Sequence, residues 1–530
     1  MKNNYYFFII PKTIGNEKDR IDCDEIFVFD RNLSEIKSRA YNDILSDEAN
    51  IFIGIDSCRI INYLISNKNQ IPKRMIDIGV EARNLRNGII PDDSPNLSNA
   101  CKFLKIDQSK SQPEQMMEVY EQLRDIINID LAFFRGQYLI ALAKVERTGI
   151  PIDFEKYMKL KENRVSIRKH LIDEFDQEGK FYKNYRFSEE AFTKYICISK
   201  LTWPITETGR LDLKKETMIE MANIDPEIKK LVALRKLLKH LQKTNLSIDA
   251  DGRNRTPLVP FKAKTGRNQP KSSRYIFGQS KVLRNLIKPS PGTALAYIDW
   301  SQQEFAIAAA LSGDKNMQKA YQDGDPYLYF AKLAEAVPDN ATKDSHPEIR
   351  KVFKECILAT QYGMGARSLA KRINSTISYA DYLLQSHRNK FPDYWQWRDN
   401  ILDIIMTQNK IETCFGWKIN ITKDSEINER SLSNFLIQAT AAEMLRLATI
   451  EIVESQIKIC TSVFDAFLIE SEIDKISSEC SRVQKIMEES SLLILESLKI
   501  LTETDIFTFP NNYSDTDGRE LWIRIESFLL

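Results

Sequence analysis

The segment Thr461-Ser462-Val463-Phe464-Asp465-Ala466-Phe467-Leu468-Ile469-Glu470 sets one carboxylate inside an apolar run with the brevity of a β-hairpin. A charge embedded in apolar strand demands compensation, so this site restricts what the rest of the chain must bring to it. A second run, Ala-Leu-Ala-Tyr-Ile over 294–298, closes on Asp299, continues Trp300-Ser301-Gln302-Gln303-Glu304, and enters a helical stretch from Phe305 to Leu311. An acid presented at a strand-to-helix turn suits a hard cation, because Mg²⁺ takes one or two carboxylates plus substrate phosphate oxygens. If Asp299 and Asp465 converge, they would hold two Mg²⁺ ions about 4 Å apart and stabilise both oxygens of a phosphoryl transfer. The plainer alternative is two unrelated turn acids, one of them capping the next helix.

A third element runs from Arg350 to Gly363. Arg350, Lys354, Leu358 and Tyr362 fall at successive i, i+4 steps, one stripe of a helix carrying two cations, an aliphatic and an aromatic. The cations suit phosphates and the apolar pair a nucleotide base, with Gly363 ending the helix. Read blandly, it is an amphipathic helix with snorkelling cations.

The net charge of +1 conceals a polar layout. Ten basic residues and no acidic one occupy 253–288, among them Arg267, Lys271 and Arg284, with Phe261, Tyr275 and Phe277 interleaved. Such a segment suits a loop-rich surface tracking phosphates. By contrast, 465–530 holds fourteen acidic and six basic residues. Hydrophobic residues at 43% and charged ones at 28% exclude a disordered or fibrous chain. Eight cysteines without a C-x-x-C pair and four scattered histidines exclude a zinc ribbon, a redox dithiol and a histidine-held metal, and fit a reducing cytoplasm. No apolar run approaches a membrane span or a signal sequence.

Together these elements resemble DNA polymerase family A, the bacterial DNA polymerase I type. Asp299–Glu304 resembles its motif A (D-x-S-Q-x-E), Arg350–Gly363 its motif B, and Val463–Glu470 its motif C. Further matches are Glu146 with Gly149–Asp153, Thr265-Gly266-Arg267, and Arg430 with Asn434-Phe435 and Gln438. The resemblance covers roughly 140–530. It implies an α+β, multidomain, right-hand polymerase of palm, fingers and thumb, with an N-terminal α/β ribonuclease H-like domain of exonuclease type. Expected segments are 1–135 for that domain, 136–250 for linker helix and thumb, 251–314 for palm entry, 315–425 for fingers and 426–530 for the remaining palm.

For the site, the resemblance implies Asp299, Asp465 and the Trp300 carbonyl as ligands of two Mg²⁺, with Mn²⁺ as a substitute. Arg350 and Lys354 would grip the incoming dNTP, Lys354 also protonating the pyrophosphate; Gln303, Leu358 and Tyr362 would line its pocket. Glu304 would be the gate against a ribose 2′-OH, bonded to Tyr362. Arg267, Lys271, Arg284, Arg430, Asn434 and Gln438 would contact primer–template DNA. The chain is expected to act as a cytoplasmic monomer, as a DNA-directed DNA polymerase. The alternative is a catalytically weak DNA-binding protein that clamps primer–template.

The pattern also departs from the family. Leu358 stands where an aromatic is usual, Phe464 where histidine is typical, and Ala466 replaces the usual second acid of motif C. In the N-terminal domain, Pro11-Lys12-Thr13 occupies the place of the first exonuclease acids, Asp22, Asp24 and Glu25 read as a solvated loop, and Arg124 stands near the late metal acid. A strand from Met75 to Glu81 keeps acids. These features predict a degenerate exonuclease fold without proofreading.

Overall fold

The computed structural model describes residues 4–10, 20–21, 23–89, 94–243, 245–422, 429–515 and 518–529, without the side chains of 240, 243, 429, 430, 431 and 433. Two compact units emerge. One comprises Met1–Ile150, Arg255–Lys271 and Gly292–Thr508; the other comprises Pro151–Asn254, Ser272–Pro291 and Phe509–Leu530. This grouping differs from the contiguous segments read from the sequence. The helix Ile129–Thr148 crosses the expected boundary at 135 and lies whole in the first unit.

The first unit opens with a five-stranded sheet in the order Glu35–Ile36, Phe27–Asp30, Tyr5–Ile9, Ile51–Gly54, Met75–Asp77. The first three strands run antiparallel and the last three parallel. Ile51–Gly54 is buried at every position, as expected of an apolar parallel strand covered on both faces. The strand expected over 75–81 ends at Asp77. That carboxylate accepts a hydrogen bond from the Val80 N–H and caps the helix Ile78–Arg86. Glu81 is therefore helical. It lies buried in a two-pronged ion pair with Arg135, at 2.7 and 2.6 Å.

A second sheet carries the motifs. Its strands run antiparallel in the order Lys458–Val463, Ala466–Glu472, Thr293–Trp300, Thr502–Thr508. The helix Ile129–Thr148 packs on both sheets, against Met75–Asp77 and Lys458–Val463. At Gly136 it comes so close that an added Cβ would lie 1.9 Å from the Met75 carbonyl oxygen. Only glycine permits that approach.

The second unit is mainly helical, with Arg164–Phe175 and Lys215–Ala222 both packed on Pro226–Lys243. Phe181 and Phe192 are fully buried in its core.

Candidate active site

Asp299 and Asp465 reach one place from elements 166 positions apart. Asp299 is the penultimate residue of the strand Thr293–Trp300, and Asp465 lies in the two-residue turn between Lys458–Val463 and Ala466–Glu472. Register pairs Asp299 with Ala466, and the Trp300 N–H donates to the Asp465 carbonyl at 3.3 Å. The turn is sharp enough to hold Phe464 at φ 55, and the residue is 68% exposed. Tyr321 fixes the strand ends: its hydroxyl donates to the Ser301 carbonyl at 3.2 Å and accepts from the Leu501 N–H at 2.9 Å.

The electrostatics of this cleft are those of a site short of positive charge. Burial, then Asp465, then Glu503, push the Asp299 carboxyl up to about 8. Burial likewise raises Asp465, against the pull of Arg267. Asp299 Oδ1 is buried without a hydrogen-bond partner among the described residues. Repelling carboxylates with an orphan oxygen fit a divalent cation, which would favour both charged forms. No His, Cys, Asp or Glu group of three among the described residues encloses a metal by itself. Two carboxylates with further oxygens from a substrate suit Mg²⁺ better than a protein cage.

Glu304 faces the same cleft. The Tyr362 hydroxyl donates to its Oε2 at 3.0 Å, and Arg267 Nη2 lies 3.5 Å from Oε1. Burial and Glu304 raise the Tyr362 hydroxyl, opposed by Arg267 and by Gln438, which also reaches it. Arg267 is set by Gly266, whose left-handed φ of 74 and contact with the Trp417 ring leave no space for a side chain. The Gly266 carbonyl accepts from buried Arg446 at 3.1 Å.

The helix Pro347–Gln361 presents the expected stripe, with Lys354 and Tyr362 exposed and Arg350 and Leu358 half-buried. The Tyr327 ring lies beneath both cations, 5.2 Å from the Arg350 guanidinium and 5.7 Å from Lys354 Nζ. Asp325 pairs with Arg350 while capping the helix Pro326–Leu333.

The model of DNA polymerase family A matches residues 188–511. The chain belongs to that family. The DNA polymerase of Escherichia phage T5 is 24% identical over 364 residues, covering 59% of this chain and 42% of that protein. DNA polymerase I of Streptococcus pneumoniae (strain ATCC BAA-255 / R6) is 23% identical over 403 residues, covering 70% and 45%. The chain thus spans less than half the length of these two curated relatives. A structure described as the POL domain of Pol1 from M. smegmatis in complex with DNA primer-template and dNTP shares the fold, with a TM-score of 0.75 at 17% identity over 95% of this chain and 94% of that one.

Several residues expected at the family A site stand elsewhere. Gln303 is not in the nucleotide cleft: it is 2% exposed, and both amide atoms lack partners among the described residues. It opens the helix Gln303–Ser312 one residue before Glu304, and a helical step turns each side chain about 100° from the last. Asn434 is buried, with Oδ1 unpartnered among the described residues, so it offers no surface to DNA. Arg284 belongs to the second unit. There it pairs with Asp515 at 3.2 Å and stacks on Phe277, so much of its charge is spent internally. Lys271 is exposed and Gln438 half-buried, whereas the side chain of Arg430 lies outside the described residues.

The phosphate-tracking segment is likewise partly structural. Arg255 donates to the Arg147 and Thr148 carbonyls, and Lys288 pairs with Asp153. In the N-terminal sheet region, Arg124 is exposed and paired with Glu121, and Asp24 and Glu25 are exposed; Pro11-Lys12-Thr13 and Asp22 lie outside the described residues. Sequence reasoning missed Asp325, Tyr327 and Glu503. The signal for Asp325 was its place just before Pro326 as a helix cap; Glu503 counted only toward bulk charge.

Proposed function

We propose that the chain is a template-directed DNA polymerase that joins dNTPs to a primer 3′-OH with release of pyrophosphate. The observation that carries this reading is the meeting of Asp299 and Asp465 on one sheet face beside the Tyr362–Glu304 pair. A protein that only clamps DNA has no use for two repelling carboxylates next to a cationic helix stripe.

Asp299, Asp465 and the Trp300 carbonyl would hold two Mg²⁺, or Mn²⁺ in their place. Bound there, the cations would activate the primer hydroxyl and offset charge on the phosphates. Arg350 and Lys354 hold the triphosphate, Arg350 exchanging Asp325 for a phosphate and Lys354 supplying a proton to the leaving pyrophosphate. Leu358 packs against the base. Glu304, held by Tyr362 and Arg267, leaves no room for a 2′-OH, and Arg267, Lys271, Arg430 and Gln438 contact primer–template. The protein works as a cytoplasmic monomer. Proofreading is absent, a reading supported by the structural employment of Asp77 as a helix cap and of Glu81 in its ion pair with Arg135.

Primer extension on a DNA template with dNTPs and Mg²⁺, beside a mismatched primer without dNTPs, tests this. Extension without shortening is expected, and Asp299→Asn or Asp465→Asn should lower the rate at least about 10³-fold. DNA binding without extension would favour a clamp, and shortening of the mismatched end would refute the loss of proofreading.

A further inference from the structure

No motif accounts for Glu503, which stands beside Asp299, one of the two acids assigned to cation binding. In the antiparallel register, Asp299 lies opposite Ala466 on one side and opposite Glu503 on the other. Directly opposed residues on antiparallel strands project from the same face, with Cβ atoms about 4.5–5.5 Å apart. Ala466, Asp299 and Glu503 thus form one row across the cleft face of the sheet. The family pattern has its additional acid at the position of Ala466, on one flank of that row. Here that flank carries a methyl group, and a carboxylate stands on the other.

Glu503 is exposed, and among the described residues it makes no hydrogen bond or ion pair. The Tyr321 bridge between Ser301 and Leu501 fixes the ends of both strands, so the row is held in place. We infer that Glu503 is the transposed counterpart of the missing acid, a positioning residue that accepts hydrogen bonds from water bound to the divalent cation at Asp299 and so strengthens cation binding. One intervening water agrees with the absence of a closed three-ligand cage among the described residues, since Mg²⁺ held by one or two carboxylates keeps several waters. The inference rests on the cation role proposed for Asp299 and Asp465.

The test is Mn²⁺ binding to the full chain without DNA or dNTP, followed by the electron paramagnetic resonance signal of the free ion. Wild type is compared with Glu503→Gln, Glu503→Asp and the double variant Glu503→Gln/Ala466→Glu. Glu503→Gln should weaken Mn²⁺ binding about tenfold, with Glu503→Asp keeping most of the affinity and Ala466→Glu restoring part of it. The Mg²⁺ concentration for half-maximal extension should rise by the same factor while the melting temperature holds. A Glu503→Gln affinity within about twofold of wild type, or a loss that neither of the other variants recovers, overturns the assignment. Mn²⁺ binding that depends on Asp299 and Glu503 in a chain that extends no primer would refute the polymerase reading alone.

Discussion

Replacing Glu146 with glutamine should make the protein more stable, and increasingly so as the pH rises. Glu146 is 4% exposed on the helix Ile129–Thr148. Its Oε1 accepts from the Leu258 N–H at 2.7 Å and its Oε2 from Asn62 Nδ2 at 3.1 Å. Burial outweighs these bonds and pushes its carboxyl from 4.5 to about 8. An acid raised on folding costs nothing below its unfolded value, because both states are then protonated. Between the two values only the folded state holds the proton, so stability falls with rising pH and the full penalty is present above pH 8. At 1.36 kcal/mol per unit the penalty is about 3 kcal/mol at pH 7 and up to about 5 kcal/mol above pH 8. Glutamine carries no charge and keeps the acceptor for Leu258. Its amide N–H₂ finds an acceptor if Asn62 turns over, since Asn62 Oδ1 is buried and unpartnered among the described residues. Melting curves of wild type and Glu146→Gln at pH 5, 7 and 9 should nearly coincide at pH 5 and separate progressively, the variant melting higher. Parallel curves, or a variant that is weakest at pH 9, would show that the ionised carboxylate is the favoured buried form and refute the argument.

Three further outcomes are expected. Glu304→Ala should raise ribonucleotide incorporation relative to deoxyribonucleotide at least about tenfold in single-nucleotide extension assays, and unchanged sugar selectivity would remove the gate from Glu304. Gly136→Ala should destabilise by about 3 kcal/mol or more, because the new methyl meets backbone and not a movable side chain; a melting temperature equal to wild type would contradict the close approach. Gln303→Leu should stabilise by about 1 kcal/mol, since it removes two unpartnered buried polar atoms at similar volume, and a lower melting temperature would indicate a partner for that amide.

What could be read from the sequence was what local pattern controls. The strand ending at Asp299, the hairpin around Asp465 and the helix stripe from Arg350 to Tyr362 follow from apolar runs and i, i+4 spacing, which depend on neighbours in the chain. Glu503 was invisible because Thr502–Thr508 alternates weakly, and no local rule says which strand it will flank. Gln303 misled because residue type suggests an outward side chain, whereas the helical phase fixed by Glu304 turns it inward. Arg284 read as a free cation because Asp515 is 231 positions away. The second unit, assembled from three separate stretches, likewise has no signature along the chain.

The helix Ile129–Thr148 is a shared keel, laid against the N-terminal sheet on one side and against the strand leading to Asp465 on another. Replacing Asp77 or Glu81 would cost one helix cap or one buried ion pair. Deleting the sheet is another matter, since it would bare a helix face next to the strand that aims Asp465. The N-terminal sheet thus serves as a foundation for that strand through the helix they share. A minimal version of this protein trimmed at the family motifs would lose ballast its active site depends on.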